Sequence, residues 1–193
     1  MRFRGLLISS TFVLALIALA LGGGSASAQA APTCDGKLAT ITGSGVINGT
    51  GGDDVIIGSA GDDVINGGSG NDTICGEGGN DSVSGGSGND RMWGEVRGGT
   101  ETLIGSPGND NLDSGSGNDL VVDPQGFGQT LSAGSGNDTM IGNGILLGGS
   151  GNDTINVNTG GAPDANLSID AGSGTDTCNL NGNVIPTTSC ELP

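Results

Sequence analysis

The chain has 193 residues, with 42 Gly, three Phe, one Trp, no Tyr and no His, and its 21 acidic against 5 basic residues give a net charge of −16. The lack of His excludes a Ser-His-Asp triad, a Cys-His dyad and an imidazole zinc site. The acidity excludes nucleic acid as a partner, because little could neutralise its phosphates.

Met1 to Ala30 is expected to be a secretory signal peptide. Arg2 and Arg4 form the basic start, Phe12 to Leu21 the apolar heart, and Gly22-Gly23-Gly24 the break before small-residue cleavage sites near Ala28 to Ala30. The apolar run is short for a bilayer span. Cleavage would leave 3 basic residues (5 less Arg2 and Arg4) against 21 acidic ones, a charge of −18. Such a chain repels itself until something cationic offsets it. Residues 31–42 are expected to form an N-terminal cap segment.

From Gly43 to Cys178 the chain repeats. An acid recurs every nine residues at Asp54, Asp63, Asp72, Asp81 and Asp90. After a step of eleven it resumes at Glu101, Asp110 and Asp119, and continues more loosely at Asp138, Asp153 and Asp176. Two places after each acid stands a residue to be buried: Ile56, Ile65, Ile74, Val83, Met92, Leu103, Leu112, Val121, Met140, Ile155 and Cys178. Gly and small residues precede the acid. A Gly-rich turn followed by a short strand accounts for nine residues, and two such units close a coil of 18. The next places (Ile57, Asn66, Cys75, Ser84, Trp93) are expected to face outward.

The unit Gly67-Gly68-Ser69-Gly70-Asn71-Asp72-Thr73-Ile74-Cys75 resembles the calcium-binding nonapeptide of the RTX, or hemolysin-type, family. The resemblance implies an all-β fold: a right-handed parallel β-roll, or β-solenoid, of stacked 18-residue coils. It also implies Ca2+ as the cofactor, held between neighbouring turns by the repeat acids and by backbone carbonyls. Calcium takes six to eight oxygen ligands, and a ladder of unneutralised carboxylates would repel itself. Asn before the acid (Asn71, Asn80, Asn89) is expected to shape the turn, being tolerant of left-handed φ.

Successive repeats alternate edges. Asp54, Asp72, Asp90 and Asp110 are expected on one edge, and Asp63, Asp81, Glu101, Asp119, Asp138, Asp153 and Asp176 on the other. Neighbouring pairs would then hold up to nine ions. The longer Glu101 follows an insertion around Glu95-Val96-Arg97. Asp123 to Gly128, Gly142 to Gly144 and Thr159 to Asn166 read as half-turns without the ligand.

Four Cys in an exported chain suggest two disulfides, with three connectivities open and free thiols as the alternative. The expected pairs are Cys34–Cys75 and Cys178–Cys190, each fastening a cap, the C-terminal one spanning residues 179–193. The acid pairs recur too often to mark one active site, and the chain reads as a secreted, extracellular, non-enzymatic calcium binder. The alternative is a calcium-stabilised adhesin or matrix protein, binding carbohydrate or a cell surface through outward Ile57, Trp93, Ile104 and Val122. No membrane span is expected after cleavage.

Overall fold

The computed structural model describes the backbone of residues 30–125, 129–157, 167–180 and 183–187, and the side chains of these except 95–98 and 183–187. The expected signal peptide up to residue 29, the loop Thr159 to Asn166 and Cys190 lie outside the described residues.

A hairpin opens the described chain, β1 (Thr33–Cys34) and β2 (Lys37–Leu38), paired antiparallel. Asp35 and Gly36 turn it with φ of 50° and 72°. Positive φ at both central residues suits the right-handed twist of paired strands, and Asp-Gly is a preferred sequence for it.

Two sheets follow, and the chain passes from one to the other at every half-coil. The first is made of β3 (Ile41–Thr42), β5 (Val55–Ser59), β7 (Thr73–Glu77), β9 (Arg91–Gly99), β11 (Asn111–Gly117), β13 (Thr130–Ser135), β15 (Ile145–Ser150) and β17 (Ser168–Asp170). The second is made of β4 (Val46–Asn48), β6 (Val64–Ser69), β8 (Ser82–Ser87), β10 (Thr102–Ile104), β12 (Leu120–Asp123), β14 (Thr139–Gly142), β16 (Thr154–Val157) and β18 (Asp176–Leu180), closed by an antiparallel β19 (Asn183–Thr187). Every other ladder in the two sheets is parallel. There is no helix among the described residues. The fold is thus the expected all-β parallel solenoid, with coils stacked 18 residues apart where the repeat is regular. Many strands run to five or six residues, because the ladder continues into the Gly-rich turn.

The core is two files of single side chains. Ile56, Ile74, Met92, Leu112, Leu131, Leu146 and Ile169 stack along the first sheet. Ile47, Ile65, Val83, Leu103, Val121, Met140, Ile155 and Cys178 stack along the second. All are buried. Leu131, Leu146 and Ile169 belong to half-coils that carry no repeat acid, yet they hold the register of those that do.

Ile57 corrects an expectation. It points away from the core as anticipated, but it is buried, because the hairpin lies over that part of the first sheet. Cys34 of the hairpin is disulfide-bonded to Cys75. Lys37 Nζ donates to Thr73 Oγ1 at 2.9 Å, and Asp35 pairs with Arg91 at 3.1 Å. Ile57 is therefore part of the cap's footing and is not available to a partner. Cys178 is also disulfide-bonded; its expected partner Cys190 lies outside the described residues.

Candidate metal centre

The repeat acids stand at the turns in two columns. In the first column the backbone N–H of Asp54 donates to Asp72 Oδ1, that of Asp72 to Asp90 Oδ1 and that of Asp90 to Asp110 Oδ1, at 2.7–2.9 Å. In the second column Asp63 donates in the same way to Asp81, Glu101 to Asp119, Asp119 to Asp138, Asp138 to Asp153 and Asp153 to Asp176, at 2.8–3.0 Å. Asp72, Asp81, Asp90, Asp110, Asp119, Asp138, Asp153 and Asp176 each thus fasten their coil to the coil before it. The division between the two edges is the one expected from the spacing. All eleven acids are buried.

The Asn residues run a second ladder outside the first, with opposite polarity. The N–H of Asn89 donates to Asn71 Oδ1, that of Asn109 to Asn89, that of Asn137 to Asn118 and that of Asn152 to Asn137. These Asn do shape the turn, but not through left-handed φ: among the described residues, positive φ outside glycine is confined to Asp35, Glu77 and Ser106. The left-handed places are filled by glycines such as Gly70 (φ 114°). Asn serves instead as an acceptor for the following coil's backbone.

One carboxylate oxygen of most acids is used by the ladder; the other is the chemically informative one. Oδ2 of Asp72, Asp90, Asp110, Asp119, Asp138, Asp153 and Asp176 is buried with no hydrogen-bond donor among the described residues. Burying an ionised oxygen without a partner is expensive. Asp54 and Asp63, at the opening coils, are different: Asp54 Oδ2 accepts from Thr50 N at 2.7 Å, and Asp63 Oδ2 from Ser59 N at 2.6 Å.

The Oδ2 atoms of Asp72, Asp90, Asp110 and Asp153 face glycines five places earlier in the chain. A Cβ on Gly67 would stand 2.4 Å from Asp72 Oδ2 and 2.3 Å from the Gly85 carbonyl oxygen of the next coil. At Gly148 the corresponding distances are 2.7 Å to Asp153 Oδ2 and 2.5 Å to the Ala171 carbonyl. The missing side chain leaves a cradle lined by a carboxylate and a peptide oxygen, hard donors at a spacing suited to calcium. Ser114, Ala133 and Ala171 hold the equivalent places before Asp119, Asp138 and Asp176. Among the described residues no three acidic, histidine or cysteine side chains converge, so an ion here would draw most of its ligands from the backbone.

Electrostatics sharpen the point. Strand spacing sets neighbouring carboxylates about 4.8 Å apart, where two charges repel by about 3 kcal/mol at an effective dielectric of about 20. Burial, opposed by the backbone hydrogen bond and reinforced by the adjacent carboxylate, raises the Asp72, Asp90 and Asp153 carboxyls above their ordinary value. The same causes push Asp110 and Asp138 up to about 6. A bound cation reverses both penalties.

Glu101 keeps its place in the second column despite the longer side chain. The insertion before it is absorbed as a bulge in β9, where Gly115 and Gly117 face Glu95 and Gly99.

No curated protein matches the chain. The family model of the RTX calcium-binding nonapeptide repeat (4 copies) matches residues 41–74, 73–96, 97–122, 126–155 and 141–161, more than half of the chain. With acid columns, glycine cradles and a parallel solenoid beneath them, the protein is a calcium-binding repeat protein and belongs to the RTX calcium-binding nonapeptide repeat family.

Proposed function

We propose that this is a secreted, non-enzymatic protein whose folding is coupled to calcium. Each ion sits between consecutive coils, held by the acids Asp54, Asp72, Asp90 and Asp110 of the first column and by Asp63, Asp81, Glu101, Asp119, Asp138, Asp153 and Asp176 of the second. Counting neighbouring pairs gives three ions on the first edge and six on the second, up to nine. The buried Oδ2 atoms without donors carry this reading, since cations threaded along a file of unsatisfied ionised carboxylates offset its burial and repulsion. Ligands that bind only the folded state add to its stability, and a Gly-rich chain of charge −18 has little else to condense it.

The test is circular dichroism and small-angle scattering of the chain lacking residues 1–30 during calcium titration. Strand signal should rise and the radius of gyration fall as calcium is added. An unchanged spectrum and radius in EDTA would refute the coupling.

A second reading, a calcium-stiffened adhesin or matrix component, draws on an apolar row on the outer face of the second sheet. Ile104 pairs with Val122 and Val122 with Ile141, and Ile104 is exposed. Retention on a glycan array or on cells in calcium, abolished by Ile104→Asp, would favour it.

A further inference from the structure

The first column ends at Asp110 in the sequence pattern, because the next coil carries Gln129 in its place. The N–H of Thr130 donates to the Asp110 carbonyl, and that of Ile145 to the Gln129 carbonyl, so Gln129 holds the column's register. Gln129 is 2 % exposed. Its Nε2 donates to the Asp123 carbonyl at 2.9 Å, and its Oε1 has no donor among the described residues.

Asp123 is the second departure. It ends β12 in the register place that Gly49, Gly67, Gly85 and Gly105 fill in earlier coils and Gly142 in the next. Its carboxylate therefore enters the cradle that glycine elsewhere leaves open. Asp123 is completely buried, and its Oδ2 has no donor. Asp110 Oδ2 lies 2.5 Å, and Asp123 Oδ2 2.8 Å, from the point where a Cβ on Gly105 would stand. The two oxygens are thus at most 5.3 Å apart. An ion taking oxygens at about 2.3–2.6 Å spans nearly that distance.

We propose that Asp110, Asp123 and Gln129 hold a further calcium ion, a fourth on the first edge, at a site built from one repeat acid and two residues outside the repeat. The repeat arithmetic does not count this site, because its second carboxylate comes from the glycine place instead of the acid place. Gln129 replaces the missing column acid by a neutral carbonyl donor, and Asp123 restores the lost charge from the opposite wall. The donor set is all oxygen, which fits a hard divalent cation. Two carboxylates in so small a volume need a cation or a proton between them. Burial, and then the charge of Asp110, push Asp123 up to about 8 when no ion is present. The site closes the first column: beyond it the register place is Gly144 and then Leu167, neither of which offers a side-chain oxygen.

The inference rests on the calcium-binding reading above, and the test separates the two. Ions bound at saturation are counted by equilibrium dialysis with radioactive calcium for the unaltered chain, Asp123→Asn and Asp123→Gly. Asp123→Gly restores the glycine of the neighbouring coils, and Asp123→Asn keeps the shape while removing the charge. Both should bind one ion fewer than the unaltered chain while keeping its strand signal. An equal count in all three would mean that a shared proton, not an ion, joins the pair, and would overturn the site. Anomalous diffraction from the unaltered chain crystallised in calcium gives an answer independent of how the variants fold: density between Asp110 and Asp123 supports the site, and its absence overturns it. If the unaltered chain binds no calcium, the underlying reading fails and this site with it.

Discussion

Gly67→Ala adds one methyl group to the wall of a cradle, and its consequence follows from two contacts. The new Cβ would lie 2.3 Å from the Gly85 carbonyl oxygen and 2.4 Å from Asp72 Oδ2, each about 1 Å inside ordinary van der Waals contact. The Gly85 oxygen is backbone in a parallel ladder and yields far less readily than a side-chain tip. Overpacking of this kind costs about 1–3 kcal/mol. Because only the folded chain offers the cradle, that cost appears in calcium affinity, as a shift of about 5- to 150-fold in the midpoint. Ser114 and Ala133 at equivalent places of the second column show that a methyl is admissible where the neighbours have room, so the lower end is the fair expectation if the coils spread. Gly51→Ala is the control. Nothing lies within 4 Å of its Cβ position, its φ is not left-handed, and reduced freedom of the unfolded chain should stabilise it by about 0.4–1 kcal/mol. The two variants should move the calcium midpoint, followed by circular dichroism, in opposite directions. Coincident titrations would refute the cradle as the cation's seat.

Three further outcomes are expected. Asp138→Asn removes a charge that stands between Asp119 and Asp153 in the second column; calorimetry should find up to two ions fewer, against one for Asp176→Asn, which has a repeat neighbour only at Asp153. In EDTA, acidification should favour the compact chain: Asp110 and Asp138 have folded values raised to about 6, so their contribution to stability is fully present below about 3.9 and lost as pH rises through 6. In calcium the sign reverses, because protons compete for the same oxygens, and affinity measured by calorimetry should fall as pH drops through 6. Reducing Cys34–Cys75, which closes a span of 41 residues, should cost about 2–4 kcal/mol and speed amide exchange in Thr33–Leu38 and around Ile57 in calcium, with little change near Leu112 or Leu131.

The two acid columns were legible because a nine-residue spacing and a two-sheet coil leave no freedom in which edge an acid meets. The aliphatic file was legible only where an acid preceded it. Leu131, Leu146 and Ile169 keep the register without that marker, and the one signal was their distance from a previous core residue, as with Leu131 at 19 residues from Leu112. Burial of Ile57 was not legible, since strand alternation gives the direction of a side chain and says nothing of a hairpin folding back over it. The hairpin was not anticipated within the expected cap segment, although Asp35-Gly36 is a preferred sequence for such a turn. Asp123 was readable as an acid out of register, but its meaning depends on which residues of other coils stand beside it, and that is fixed only when the ladder is formed.

The second column passes through intervals of 19, 15 and 23 residues between Asp119, Asp138, Asp153 and Asp176 without losing a rung. The rod therefore counts coils and not residues: its rise is set by strand spacing and not by the number of residues between rungs. Such a rod can lengthen, shorten or decorate one flank while the other stays crystalline in its regularity.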